Sequence, residues 1–220
     1  MAFTVSTLAD SGAGSLRQAI TDANNQAGAD VIEFAQSARG TITLAGTQLS
    51  ITSDLSINGP GAGLLAVSGN HASRVFTIAS GATVAISGLT VKDGAHGTNG
   101  GGVGNAGTLS ITNSTISGNA ATVYGGGVYN IGALTISNST ISGNTSSNSG
   151  GGIESYNGSL TISNSTISDN TGTYGGGVDN YTATLTITNS TISNNTGANG
   201  GGLSNYTGTV TITGSGFSAN

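Results

Sequence analysis

Among the acidic residues of the chain, Glu154 and Asp179 stand apart, because they sit at equivalent places in glycine-led blocks, GGGIES and GGGVDN. The same column holds Tyr129 one block earlier and Ser204 one block later. If each block is a strand stacked on its copy, the two carboxyls lie about 5 Å apart, one strand spacing. Such a pair suits glycoside hydrolysis, or a calcium ion held by oxygen ligands. The plainer reading is variation at an exposed column, and it is the one adopted here. No Lys or Arg lies in the regular repeats to serve as a lyase base, and His71 and His96 lack metal-ligand spacing and read as surface residues. No catalytic residue, metal or cofactor is therefore assigned. The expectation is a protein that is not an enzyme.

Hydroxyl side chains supply the second candidate chemistry. Thr135 and Ser137, Thr161 and Ser163, Thr186 and Thr188, and Thr211 and Thr213 recur in pairs, after an earlier pair Ser110 and Thr112. A second set runs Thr115/Ser117, Thr140/Ser142, Thr166/Ser168 and Thr191/Ser193. Two-column threonine grids of this kind can order water, so ice is one expected partner; any β-coil exposed to water also needs polar, strand-tolerant residues on its outside.

Both candidates rest on a repeat. Leu109 opens LSITNSTISGN, and the segment returns at Leu134, Leu160, Leu185 and Val210, at intervals of 25, 26, 25 and 25 residues. Val84 opens a degenerate earlier copy. Apolar and hydroxyl residues alternate in Leu134-Thr135-Ile136-Ser137, the period of a half-buried strand. One such coil buries too little to stand alone, so copies must stack into columns: Leu109/Leu134/Leu160/Leu185/Val210, Ile111/Ile136/Ile162/Ile187/Ile212 and Ile116/Ile141/Ile167/Ile192/Phe217. The GGG block should contribute one buried residue, such as Val128 or Ile153. Asn113, Asn138, Asn164 and Asn189 mark a first turn, and Asn119, Asn144, Asn170, Asn195 and Asn220 a second. Asparagine tolerates left-handed backbone and can bond to its copies. The Asn-Ser-Thr triplets, formally glycosylation sites, follow from that turn and strand chemistry. The GGG runs lack the helix and lysine of a phosphate cradle.

The front of the chain departs from the pattern. Ser15 and Gln18 have capping-box spacing, and Leu16, Ala19, Ile20 and Ala23 share one helical face, which predicts a capping helix over about 15–25. Strands are expected at 31–34, 41–44, 49–52, 55–57, 64–67 and 74–78. The division is thus 1–83, a cap with irregular first coils, and 84–220, regular repeats of the same domain. Nothing similar to the cap follows Asn220; a piece cut from a longer array is expected, with end-to-end self-association through the uncapped end as the other outcome. Charged residues make up 6% of the chain and the net charge is −5, with only Arg17, Arg39, Arg74 and Lys92 basic, which excludes nucleic acid. No run is long enough to span a membrane, and no signal peptide opens the sequence.

The unit GGGVYN…LTISNSTISGN resembles the repeats of chlamydial polymorphic outer-membrane proteins, where a GG-apolar block alternates with F-x-x-N. Phe217-Ser218-Ala219-Asn220 matches the second block literally, and Ile116, Ile141, Ile167 and Ile192 replace its Phe elsewhere. Residues 7–20 look like the G-S-L-R-x-A-I segment that begins β-helical regions of large bacterial surface proteins. The resemblance implies an all-β, right-handed parallel β-helix of the pectin-lyase type. It also implies export to the cell surface or medium and an adhesin-like or structural role toward a glycan or host-surface ligand. An ice-binding protein and a carbohydrate-active enzyme are the two alternatives.

Overall fold

The computed structural model describes residues 1–220. Its strands form three parallel sheets that run the length of the molecule, with nine, eight and seven strands. Each regular coil gives one strand to each sheet. Ala133–Ser137 belongs to the nine-stranded sheet, Thr140–Ser142 to the eight-stranded and Val128–Asn130 to the seven-stranded. A fourth, short sheet pairs Ala95–His96, Ala120–Ala121 and Thr145–Ser146. The coil length fixes the register. Leu134 pairs with Leu109 and Leu160, Ile136 with Ile111 and Ile162, and Ile141 with Ile116 and Ile167. All three expected columns therefore form, and their members through Leu185, Ile187 and Ile192 are at most 2% exposed. Ile212 and Phe217 end two of them and stand 43% and 42% exposed.

The helix spans Leu16–Asn24, and Ser15 caps it by accepting from the Gln18 N–H at 3.2 Å. Half of the capping box forms: the Gln18 side chain donates to Asp22 at 2.7 Å instead of returning to Ser15. Leu16, Ala19, Ile20 and Ala23 are buried against the first strands and close one end of the core. The early strands fall where expected: Asp30–Phe34, Gly40–Thr43, Leu49–Ile51, Leu55–Asn58, Leu65–Ser68 and Phe76–Ile78. Ala2–Val5 is an additional strand, paired in parallel with Asp30–Phe34. These coils feed the same three sheets as the repeats. Their irregularity is one of length, since 29 residues separate the paired Leu55 and Val84. Asn70 and His71, both at positive φ, lie in that longer coil.

Three polar ladders run alongside the core. Asn144 accepts from the Asn119 backbone at 3.0 Å and its amide at 2.9 Å. It donates to Ile116 O at 3.0 Å and to Asn170 Oδ1 at 2.9 Å, so a side chain with no exposure is fully satisfied. Asn170, Asn195 and Asn220 continue the file. The first-turn asparagines behave differently: Asn113, Asn138, Asn164 and Asn189 adopt φ of 48–50° and point outward. The two properties expected of both sets are divided between them. A serine file, Ser114 to Ser215, bonds coil to coil beside them, for example Ser114 N to Ser139 Oγ at 3.1 Å. A third file runs through Asn105, Asn130 and Ser155.

Candidate functional site

The glycine-led block was expected to bury one residue, yet Gly150 through Ser155 and Gly175 through Asn180 are buried without a break. Glycine makes this density attainable. Gly150 and Gly175 bend the chain at φ of 61° and 53°. At Gly151 an added Cβ would come 2.3 Å from Thr171 O and 2.5 Å from Gly176 O. Backbone thus packs on backbone from three segments.

The expectation of an exposed acidic column is corrected here. Glu154 pairs with Asp179 in register, as the repeat requires, but the two are only 1% and 4% exposed. Their strands, Ile153–Ser155 and Val178–Asn180, are buried on both faces because the glycine block lets neighbouring chain close over them. Burial in a low-dielectric wall disfavours the carboxylate. The adjacent charge of Asp179 and a side-chain hydrogen bond to it act in the same direction, and together they push the Glu154 carboxyl up to about 9. Glu154 is therefore protonated at neutral pH beside the Asp179 carboxyl. Glu154 Oε2 and Asp179 Oδ1 are buried without a hydrogen-bond partner.

Two coils toward the N-terminus the same column receives a cation. A Cβ on Gly104 would lie 3.0 Å from the guanidinium carbon of Arg74, so Arg74 occupies the side-chain space of that position. In register the column reads Thr77, Gly104, Tyr129, Glu154, Asp179 and Ser204, and the Arg74 side chain enters it at Gly104. Arg74 donates to Gly100 O at 2.8 Å and to Asn99 O, and bonds His96 Nδ1 at 3.1 Å. His96 is accordingly half-buried instead of lying on the surface, while His71 is exposed as expected. Burial first, and then the charge of Arg74, hold the His96 imidazole below its ordinary pKa. Its Nδ1 accepts from the Asn99 N–H at 3.0 Å, which places the neutral ring's proton on Nε2.

The hydroxyl pairs lie outward, in register. Thr135 pairs with Thr161, Thr161 with Thr186 and Thr186 with Thr211 on the nine-stranded sheet. Thr135, Thr161, Thr211 and Thr213 are exposed, and Ser137, Ser163, Thr186 and Thr188 half-buried. The second set, from Thr115 to Ser193, lies in the eight-stranded sheet.

One surface feature was missed. Five tyrosines adjoin along the solenoid: Tyr124 stacks on Tyr129, Tyr156 on Tyr181 and Tyr181 on Tyr206, with centroids 6.2, 4.8 and 4.9 Å apart, while Tyr129 and Tyr156 meet at 6.5 Å with their planes tilted by 38°. The recurrence of Tyr156, Tyr181 and Tyr206 every 25 residues was the available signal.

Parallel sheets, coil-to-coil ladders and one capping helix define a parallel β-solenoid whose outer walls carry neutral hydroxyl and aromatic files. The family model for the right-handed β-helix region matches residues 67–220. The chain belongs to that family. A comparison with the curated proteins gives no match.

Proposed function

We propose that this chain is a non-catalytic display scaffold: an adhesin-like β-helix segment of an exported bacterial protein, presenting its lateral walls to a glycan or host-surface ligand. The observation that carries this reading is the sealing of the one carboxylate pair. At 1% and 4% exposure, Glu154 and Asp179 are beyond the reach of a substrate, and an acid–base pair works only within hydrogen-bond reach of the proton it moves. What the coils offer to solvent is instead repetitive: files of threonine, serine and tyrosine continued from coil to coil. Repetition suits many weak, additive contacts better than one reacting centre. The test is retention of the whole chain on an array of neutral and charged glycans. Retention on a defined subset without turnover supports the reading; no retention on any of them counts against glycan adhesion, and release of shortened products would make the protein an enzyme.

A second reading rests on the threonine file. Thr135, Thr161 and Thr211 are exposed and in register, as an ice-ordering face requires. Thermal hysteresis or shaped ice crystals would favour it, and their absence would remove it.

A further inference from the structure

We propose that the tyrosine ridge is the ligand-binding strip of this solenoid, and that it takes a neutral, linear glycan lying along the solenoid axis. The proposal rests on the glycan-adhesion reading above and assigns it a place.

Five of the chain's six tyrosines fall in this one ridge, in a molecule without tryptophan. The corner that Tyr156, Tyr181 and Tyr206 occupy does not need aromatic rings. Ile131 N donates to Asn105 O at 2.9 Å, Tyr156 N to Asn130 O at 2.9 Å, Tyr181 N to Ser155 O at 3.0 Å and Tyr206 N to Asn180 O at 3.0 Å. The same ladder thus accepts isoleucine in an earlier coil with no change of bond length. Tyrosine at the later positions adds something other than a closed turn.

The ridge leaves ring surface open, most of all at Tyr206. Tyr156, Tyr181 and Tyr206 are parallel within 7°, with centroids 4.8 and 4.9 Å apart. Rings in van der Waals contact need only about 3.5–4.0 Å between planes, so centroids 4.8 and 4.9 Å apart leave these rings offset or spaced beyond closest contact. Tyr206 is 68% exposed and the others of the ridge half-buried. The hydrogen bonds at Tyr156 and Tyr181 run through their backbone groups, and none engages a phenol hydroxyl. Thr182 and Thr207 follow two of the rings and are exposed beside them.

Aromatic strip, free phenols and flanking hydroxyls are what a pyranose chain recognises: its C–H faces pack on ring carbon, and its hydroxyls exchange hydrogen bonds with phenol and threonine. The charge pattern selects a neutral chain. No Lys or Arg follows Lys92, and Arg74, one coil from Tyr129, is engaged by Gly100 O, Asn99 O and His96, so an acidic polysaccharide or a phosphate finds no counter-charge along Tyr156, Tyr181 and Tyr206, and the carboxyls of Glu154 and Asp179 are sealed in the wall. A repeating ligand on a repeating ridge gains affinity with each coil engaged.

Affinity electrophoresis of the intact chain through gels containing a neutral glucan, a neutral mannan, polygalacturonate or heparin tests the proposal. Tyrosine fluorescence, unmasked by any tryptophan, is followed in parallel. Retardation by a neutral glycan is expected, together with a change in tyrosine emission. Tyr206→Ala removes a largely exposed ring without touching the core, and Tyr181→Ala removes a central one. Each should weaken binding roughly tenfold, and Tyr181→Phe should keep most of it. Neutral-glycan binding that survives both alanine substitutions, in variants with unchanged β-sheet circular dichroism, overturns the ridge and leaves glycan adhesion standing. Binding of the charged polymers alone also overturns the ridge. Binding to none of the four overturns both readings.

Discussion

Glu154 is the residue whose environment departs furthest from what its neighbours in sequence suggest. It keeps its proton to about pH 9 in the folded chain and loses it near pH ~4 when unfolded. The folded state therefore binds the extra proton between those values. Stability is highest below the unfolded pKa and falls as pH rises through the window, by up to about 1.4 kcal/mol per pH unit. Glu154→Gln keeps the shape and removes the titration, so its urea midpoint should change less than that of the unaltered chain between about pH 5 and about pH 9. Equal slopes in the two proteins would mean that Glu154 is ionised at neutral pH. The strip of tyrosines is the other residue-scale feature with a consequence, through the roughly tenfold losses expected of Tyr206→Ala and Tyr181→Ala.

The glycine block is the element that determines how much each coil can bury. Gly151→Ala would drive a methyl against backbone oxygens at 2.3 and 2.5 Å, where no flexible side chain can give way. Overpacking of this sort costs about 1–3 kcal/mol or more. Gly97, which has nothing within 4 Å of an added Cβ, is the control, and Gly97→Ala should stay within about 0.5 kcal/mol. Chemical denaturation of the two variants separates crowding from a general effect of losing glycine. The capping helix was read from Ser15 and the Leu16/Ala19/Ile20/Ala23 face almost to the residue, because a short helix declares itself through local spacing. The strand Ala2–Val5 was missed because its partner, Asp30–Phe34, lies far along the chain and nothing local marks the pairing.

At the scale of the whole molecule, stability is close to a sum over coils and their interfaces. Deleting residues 151–175 joins Gly150 to Gly176 and restores GGGV. It removes the strands Ile153–Ser155, Ser159–Ser163 and Thr166–Ser168, one from each main sheet. All columns stay in register, so a shorter solenoid with cooperative unfolding and unchanged β-sheet circular dichroism is expected. Removing about half a coil should instead put apolar residues on the outer face and abolish folding, since register is set by burial. A chain that tolerated both deletions would not be held together by its columns.

The coil, its columns, the outward hydroxyl files and the asparagine turns were legible in the order of residues alone. Each of these repeats with the chain's own period, and a stacked period of 25 or 26 residues leaves one register that buries the Leu and Ile columns along the inner face. Which residues of different columns end up side by side emerged from the folded chain. Arg74 enters the space over Gly104 from a longer, irregular coil. Tyr129 meets Tyr156 on a diagonal, from a different position in its coil. Glu154 and Asp179 share a column that alternation alone assigns to solvent, and they are enclosed because three glycines let backbone close over them. Periodicity specifies which residues stack. Whether a stacked side chain meets water or protein depends on chain that approaches from outside the period.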